Sequence, residues 1–335
     1  MGCVVWPVTL VGAIVGGLHA QGPESPPPPP GRLVDLGGYR LHLYCTGKGK
    51  KTVVLAPGGG DFSFDWYLVQ SKVSSFARVC SYDRAGSAWS DPGPEPRTQK
   101  QEAYELRLAL HRAHEHGPYI LVGHSIAGLV IRFFAGLYPG ETAAIVFVDA
   151  LSPDGTLGYY GKLTHMREAA RDRAVPEPQT MKSGPPKLLS EEDRKKAHSS
   201  RKITPPYNHL PENIQQLQLW AWSQPPRAAP GEDYLPEEMK ELYRQSIATP
   251  HVLGDRPVIS IIGMAPAGKA PPGISSEQWE ALHEHNIALK HQFADLSTNS
   301  KVVEDTSAGH SVQLDDPDTV VSAIRDVLHA VGEHC

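Results

Sequence analysis

The most informative segment of this 335-residue chain is Tyr119-Ile-Leu-Val-Gly-His-Ser-Ile-Ala-Gly128. An apolar run with the character of a buried strand ends at Gly123, and residues 129–137 then predict a helix. Ser125 stands between them, on a sharp strand-to-helix turn that would raise its hydroxyl above the sheet. The N-terminus of the helix beneath would stabilise developing negative charge. The pattern therefore predicts a nucleophilic serine.

The turn departs from the usual Gly-x-Ser-x-Gly pattern at its last position, where this chain has Ala127. Small residues are needed at positions 123 and 127, because a larger side chain at either would collide across the tight turn. A methyl group is the smallest departure, so the pattern still favours a nucleophile. A serine between small residues is often a simple turn, and it is the flanking strand and helix that favour the catalytic interpretation.

Apolar runs along the rest of the chain predict strands and helices in alternation. The predicted strands are residues 33–35, 40–44, 52–56, 77–82, 119–122, 143–148, 257–262 and 301–303. Long helices are predicted over residues 98–116 and 317–331. Strands that alternate with helices after an opening hairpin imply a mostly parallel sheet covered on both faces, and hence an α/β fold.

Residues 151–254, which follow the sixth predicted strand, interrupt this alternation. They are rich in proline and charge, show no strand signal, and contain helical patterns at 190–199, 211–222 and 236–247. We interpret them as a helical cap over Ser125, inserted between core segments 32–150 and 255–335. Aromatic residues of this segment, among them Trp220 and Trp222, would either line a substrate pocket or hold the cap to itself and to the core.

The composition of the chain limits the classes of molecule that we expect it to bind. The chain is 40% hydrophobic and 21% charged with a net charge of −5, which suits one large domain or one core with an insertion. It has no basic stripe, which argues against a nucleic-acid partner. The glycine run 58–60 lacks the neighbours of a P-loop or dinucleotide motif, and the helical His111, His114 and His116 lack a clear carboxylate or cysteine partner. We therefore expect no cofactor and no metal.

The N-terminus predicts export. Residues 4–18 are almost wholly apolar and precede a polar stretch, which is typical of a secretory signal peptide, here residues 1–20 with cleavage after Ala20. Residues 21–31 would form a stiff proline-rich linker. The expected location is the periplasm or the outside, with no stable membrane span after cleavage. The alternative is an uncleaved N-terminal membrane anchor, although the apolar run is short for one.

From about residue 32 to residue 331 the chain resembles capped serine hydrolases of the α/β-hydrolase fold. The resemblance rests, in this order along the chain, on Tyr82-Asp-Arg-Ala-Gly86, Ser90-Asp-Pro92, Gly123-His-Ser125, Val148-Asp149 and Gly309-His310. It implies the fold and its catalytic machinery, and says little about the substrate because this fold hosts many chemistries. The same fold would make the strands carrying Cys45 and Cys80 neighbours, so these residues form either a disulfide or two buried thiols.

A serine hydroxyl needs a base within hydrogen-bond reach. His310 lies in the loop after the last predicted strand, where chain order in this fold places the base. Most of the other histidines fall in predicted helices, the cap or chain ends. His124 adjoins Ser125, but the turn should point it away from the hydroxyl, so we expect it to have a packing role.

The acid that orients the base is harder to assign. In many relatives it follows the seventh strand, but residues 263–273 contain neither Asp nor Glu. Asp149 ends the sixth predicted strand and could reach His310 across the top of the sheet. The alternatives are that Asp149 caps a turn into the cap segment, or that Asp154 supplies the carboxylate.

Two backbone N–H groups should form an oxyanion hole, one from Ile126 and one from Gly59, with Gly60 next. A flexible turn is the alternative for these glycines. The combined prediction is a serine hydrolase that cleaves a small-molecule ester through an acyl-enzyme. Amidase, acyltransferase or perhydrolase activity would use the same triad, and a ligand-binding protein could have kept the fold without turnover. An epoxide hydrolase would need Asp in place of Ser125.

Overall fold

One eight-stranded sheet lies at the centre of the protein, whose computed structural model describes residues 27–94, 96–159, 162–166, 202–224 and 236–333. In chain order the strands are β1 (Arg32–Asp35), β2 (Arg40–Thr46), β3 (Thr52–Ala56), β4 (Arg78–Tyr82), β5 (Tyr119–His124), β6 (Thr142–Val148), β7 (Thr156–Tyr159), β8 (Lys162–His165), β9 (Val258–Gly263) and β10 (Ser300–Asp305). All except β7 and β8 belong to this sheet, in the spatial order β1-β2-β4-β3-β5-β6-β9-β10. Pairing is antiparallel at β1–β2 and β2–β4 and parallel elsewhere, which confirms the predicted α/β fold.

Helices cover both faces of the sheet. They are α1 (Tyr67–Val73), α2 (Gln99–Arg112), α3 (Ala127–Leu137), α4 (Glu212–Ser223), α5 (Pro236–Ala248), α6 (Ser276–His291), α7 (Val312–Asp315) and α8 (Pro317–Ala330). On one face α2 and α3 bury an apolar core that includes Leu106 and Phe134. On the other, α1 and α8 bury a second core that includes Val69 and Ile324. Because both faces are covered, β3, β5 and β9 are buried along their whole length.

Two helices differ from the prediction. Helix α2 begins after Thr98, whose side chain accepts the backbone N–H of Gln101. It ends at Arg112 rather than at residue 116, because His114 adopts a positive φ of 60°. Helix α6 was not predicted. Its signal was a capping box, in which Ser275 and Gln278 each accept the backbone N–H of the other.

The segment between β6 and β9 is not purely helical, so the prediction that it contains no strand is wrong. Strands β7 and β8 pair antiparallel within it, in a ladder separate from the main sheet. Each has only four residues, too few for a clear alternating pattern. Helices α4 and α5 confirm the patterns at 211–222 and 236–247. The predicted helix at 190–199 lies outside the described residues, and the division into core and cap stays a prediction.

A disulfide joins the antiparallel neighbours β2 and β4. Cys45 of β2 lies opposite Cys80 of β4 in the register of the antiparallel pair, and the two form a disulfide bond. Of the two alternatives left open by the sequence, the disulfide is therefore the one observed. The predicted signal peptide, residues 1–20, and all of the linker before residue 27 lie outside the described residues. No described helix combines the length and apolar character that crossing a membrane requires.

Strand register positions the candidate site. In the parallel pair β5–β6, His124 lies opposite Val148, the last residue of its strand. The next residue of each strand, Ser125 and Asp149, therefore leaves the sheet at the same edge. The backbone N–H of Asp149 still donates to Ile261 of β9, at 2.8 Å, which fixes the start of this loop against a third strand.

Candidate active site

Ser125 lies on a tight turn between β5 and α3, with a positive φ of 52°. Its carbonyl oxygen accepts the N–H groups of Gly128, at 3.0 Å, and Leu151, at 2.9 Å. A Cβ at Gly123 would lie 2.8 Å from the carbonyl oxygen of Ala127, so glycine is required there, whereas the methyl group of Ala127 is accommodated and fully buried. The predicted strand–turn–helix is therefore confirmed.

The structure brings together the three side chains that the sequence singled out. Nε2 of His310 lies 3.0 Å from Oγ of Ser125, and Nδ1 lies 2.6 Å from Oδ2 of Asp149. A carboxylate only accepts, so Nδ1 carries the ring proton and Nε2 presents its lone pair to the Ser125 hydroxyl. The side chain of His310 is 59% exposed and that of Asp149 only 3%, so the site is buried at its base and open above.

Asp149 is an ionised carboxylate in a fully bonded environment. Oδ1 accepts the backbone N–H of Gly263, at 3.0 Å, and Oδ2 accepts Nζ of Lys290, at 2.7 Å, in addition to His310. Burial raises the pKa of Asp149, but the hydrogen bond from His310 and the charge of Lys290 outweigh it and leave the pKa at about 2. The group is therefore negative at neutral pH and holds the His310 ring in one orientation.

Lys290 is a member of this site that the sequence analysis missed. It lies in the last turn of α6 and its side chain is only 12% exposed. The capping box at Ser275 predicts the helix. The residues beside Lys290 do not indicate that it pairs with Asp149, which lies 141 residues earlier in the chain.

Asp154, the alternative acid, lies elsewhere. Its carboxylate is 3.1 Å from Nε2 of His165 in β8. The geometry therefore joins His310 to Asp149 and gives Asp154 a different histidine partner.

The glycine run after β3 packs directly against the serine turn. A Cβ on Gly58 would lie 3.1 Å from Cβ of Ser125, and a Cβ on Gly59 would lie 3.6 Å from Cγ2 of Ile126. Nη2 of Arg84 donates to the Gly58 carbonyl oxygen at 3.0 Å and fixes the run in place. Within the described residues, the backbone N–H groups of Gly59 and Ile126 donate to no acceptor. Gly60 is exposed and has a φ of 76°.

His124 forms two polar contacts in addition to its packing, so the packing role that we expected describes only part of what it does. Its Nδ1 lies 2.7 Å from Oδ2 of Asp61, and its Nε2 lies 2.9 Å from the carbonyl oxygen of His310. Both of these partners accept, which favours a proton on each nitrogen and a buried imidazolium, and the amide group of Gln313 also lies 3.2 Å from Nδ1. Burial lowers the pKa of His124, but the charge and hydrogen bond of Asp61 outweigh it and raise the pKa above 6.5.

The His124–Asp61 pair joins the three loops of the site. Asp61 also accepts the backbone N–H of Gly58, at 3.2 Å, so the pair contacts the glycine run, the serine turn and the His310 loop at once. Sequence alone could not show this, because Asp61 and His124 are 63 residues apart.

The motif Tyr82-Asp-Arg-Ala-Gly86 is architectural, as predicted. Asp83 accepts the backbone N–H of Ser63 at 2.7 Å and lies 2.8 Å from Nδ1 of His42, which connects β4 to the loop after β3. Arg84 supports the glycine run described above.

Trp220 holds the inserted segment to the core, and Trp222 packs within that segment. The Trp220 ring lies 5.0 Å from that of Trp89, and the Trp222 ring lies 4.9 Å from that of Tyr207. All four belong to an apolar cluster with Phe62, next to the glycine run. Of the two functions predicted for Trp220 and Trp222, the structure shows the second.

Comparison with known proteins shows which family the chain resembles. A family model described as "Alpha/beta hydrolase family" matches residues 53–323. Over 131 residues, 38% of this chain, the sequence is 31% identical to the uncharacterized protein YbdG of Bacillus subtilis and spans 40% of that protein. The chain spans less than half the length of the first curated relatives that it matches.

Among solved structures, a thermophilic esterase from Thermogutta terrifontis superposes with a TM-score of 0.56 at 21% identity, covering 89% of this chain and 97% of that one. The epoxide hydrolase CorEH superposes with a TM-score of 0.56 at 14% identity, covering 90% and 98%. Identities this low show a shared fold. Together with the family match, which extends from β3 into α8, they establish that the chain belongs to the alpha/beta hydrolase family.

Proposed function

We propose that the protein is a serine hydrolase that cleaves small carboxylic esters through an acyl-enzyme. The observation that carries the proposal is the position of His310 between Ser125 Oγ, at 3.0 Å, and Asp149 Oδ2, at 2.6 Å. A nucleophile, a base and a carboxylate that orients the base are what such a reaction needs.

In the first step, Oγ of Ser125 attacks the ester carbonyl carbon while Nε2 of His310 takes the hydroxyl proton. The imidazolium that forms is stabilised by Asp149, whose pKa of about 2 keeps it negative throughout. The carbonyl oxygen becomes an oxyanion, and the backbone N–H groups of Ile126 and Gly59 are the donors that we assign to it.

In the second step, His310 returns the proton to the leaving alcohol as the carbon–oxygen bond breaks, leaving an acyl group on Ser125. Water then attacks this acyl group, and His310 takes a proton from the water and returns it to Oγ. The exposed side of the His310 ring gives that water access. The products are an alcohol and a carboxylate.

Hydrolysis of p-nitrophenyl esters of increasing acyl length tests the proposal. Ser125→Ala should lower kcat by at least roughly 10⁴-fold, because nothing else at the turn can form the acyl-enzyme. Ser71→Ala is the matched control, since this exposed hydroxyl bonds only to the backbone of its own helix. Turnover that survives in Ser125→Ala would contradict the assignment.

Two further measurements separate the alternatives. A fluorophosphonate should transfer its phosphonyl group to Ser125 in the wild type with loss of fluoride, and the mass increase reports an activated serine even when no tested ester is a substrate. A protein that binds ligands without turnover should show neither labelling nor hydrolysis. Anilides with the same acyl groups separate ester from amide preference.

A further inference from the structure

A cavity of about 290 Å³ lies between α3, α5 and the end of α6. Its walls include Arg132 of α3, Ser152 from the loop after β6, and Thr249 just after α5, but neither Ser125 nor His310. Arg132 follows Ser125 by seven residues, roughly 10 Å along a helix, so the cavity is close to the candidate active site and separate from it.

Arg132 is a buried cation without an anionic partner among the described residues. Only 4% of it is exposed, and both hydrogen bonds of its guanidinium run through Nη2, to Oγ of Ser246 at 2.9 Å and to the carbonyl oxygen of Leu242 at 3.4 Å. Both partners are neutral. Three N–H donors, on Nε and Nη1, remain for another ligand.

The other two buried arginines of the described residues are compensated. Arg97 lies 2.6 Å from Glu105, and Arg84 lies 3.7 Å from Glu102. A buried charge is costly unless an opposite charge accompanies it, so Arg132 is the exception that needs an explanation. Burial lowers the pKa of Arg132 to about 10, which still leaves the group charged at neutral pH.

The rest of the wall indicates the chemistry of the missing anion. The hydroxyls of Ser152 and Thr249 can donate to it, while Phe293 and Leu296 offer apolar surface to the remainder of the ligand. A volume near 290 Å³ lies at the lower end of the ~300–1,000 Å³ range of ligand pockets, which limits the ligand to a small molecule.

Two acidic side chains also border the cavity and limit the charge of the ligand. Asp295 is exposed to solvent, and Asp154 lies against His165. A doubly charged ligand would double its repulsion from these carboxylates as well as its attraction to the guanidinium, and a single guanidinium would leave one of its two buried charges uncompensated. The arrangement therefore favours a monoanion with an apolar body.

We propose that the Arg132 cavity is a binding site for a small aromatic or aliphatic monocarboxylate. The carboxylate would pair with the Arg132 guanidinium and supply the charge that the protein lacks there. This proposal does not depend on the hydrolase activity, because no residue of the candidate active site lines the cavity.

Isothermal titration of the full chain with sodium benzoate tests the proposal. Wild type should bind benzoate, and should bind the neutral isostere benzamide and inorganic phosphate more weakly. Arg132→Met should weaken benzoate binding roughly 10- to 100-fold, the loss expected for one charge-assisted hydrogen bond. Arg107→Met is the matched control, because this arginine pairs with Glu141 outside the cavity and its loss should leave benzoate affinity unchanged.

Thr249→Trp provides a second test that leaves the cation in place. Thr249 is exposed at the edge of the cavity, so a larger side chain should fill the space and abolish binding even if Arg132→Met fails to fold. Wild-type affinity retained in either folded variant would overturn the proposal, as would a preference for phosphate.

Carboxylate binding at the catalytic serine must be distinguished from binding at Arg132. Protein whose Ser125 carries a fluorophosphonate should bind benzoate as wild type does, and loss of binding on labelling would assign benzoate to the catalytic serine and overturn the proposal. If Ser125 accepts no label, the proposed hydrolase function fails while the titrations of the Arg132 variants still decide this one.

Discussion

Replacing Asp149 by asparagine should separate the chemical role of this carboxylate from its structural role. The carboxylate accepts three hydrogen bonds, from Gly263, Lys290 and His310. An amide has one oxygen, and once that oxygen accepts the Gly263 N–H, its NH₂ group faces the donors of Lys290 and His310. Asp149→Asn therefore disturbs both the charge of the site and the proton on the histidine ring.

The effect on stability follows from the pKa. The native environment of Asp149 lowers its pKa from the ordinary value of 3.8 to about 2. At about 1.4 kcal/mol per pKa unit, this shift contributes about 2 kcal/mol to the free energy of unfolding. Because the folded-state pKa is depressed, this contribution is present above pH 3.8 and is lost as the pH falls towards 2. The variant also leaves the nearly buried Lys290 without an anion, so we expect a total loss of about 3 kcal/mol in the free energy of unfolding.

The effect on activity follows from the tautomer. When Nδ1 of His310 faces an NH₂ group, the ring is most stable with its proton on Nε2, and it then cannot accept the proton of Ser125. The expected loss in kcat is roughly 10³- to 10⁴-fold, equivalent to about 4–5.5 kcal/mol in the activation barrier.

The assay combines urea unfolding with ester hydrolysis on four proteins: wild type, Asp149→Asn, Asp149→Asn/Lys290→Met and Asp154→Asn. The double variant also removes the Lys290 cation, which would otherwise lack an anionic partner. Compared with Asp149→Asn it should regain at least about 1 kcal/mol in the free energy of unfolding and none of the activity. Asp154→Asn should hydrolyse esters as wild type does. A kcat for Asp149→Asn within tenfold of wild type, or its recovery in the double variant, would contradict the role assigned to the carboxylate.

Two further predictions concern the loops around the site. Gly128→Ala should lower the free energy of unfolding by about 1–3 kcal/mol, because the new Cβ would lie 2.5 Å from Cβ of Ala150. Gly136→Ala in the same helix would place its Cβ in ordinary contact, 3.7 Å from Oε1 of Gln245, and should stabilise the protein by up to about 1 kcal/mol; equal effects would contradict the steric argument. The raised pKa of His124 means that its stabilisation is complete below about pH 6.5 and declines as the pH rises through the folded-state value. The urea midpoint of wild type should therefore fall as the pH rises, and it should fall less in the double variant Asp61→Asn/His124→Asn. Identical dependence of the midpoint on pH in the two proteins would contradict the imidazolium assignment.

The sequence predicted the parts of the molecule that depend on neighbours along the chain. The apolar runs that form β3, β5, β6 and β9 are buried on both faces and need no distant information to be recognised as strands. Ser125 was predictable for the same reason, because its strand, turn and helix are contiguous. Asp149 became the candidate acid because the loop after β9 offers no carboxylate, and the structure places it against His310.

The parts that were missed depend on contacts between distant segments. Helix α6 buries only Leu282 and Leu289 among its sixteen residues, so its apolar pattern is weak and its lysine was overlooked. The strands β7 and β8 are each too short to show a period. The charge state of His124 depends on two acceptors from other loops, neither of which can be assigned from the residues beside it.

The parallel register of β5 and β6 has a consequence for insertions and deletions. One residue gained or lost within β6 would shift Asp149 by about 3.3 Å relative to Ser125 and turn its side chain to the opposite face of the sheet. The segment between Leu151 and β9 begins after both residues have been positioned, and it can change length without changing their separation. Natural or engineered variation in substrate preference should therefore accumulate as length changes in this later segment, while β5 and β6 accept only substitutions.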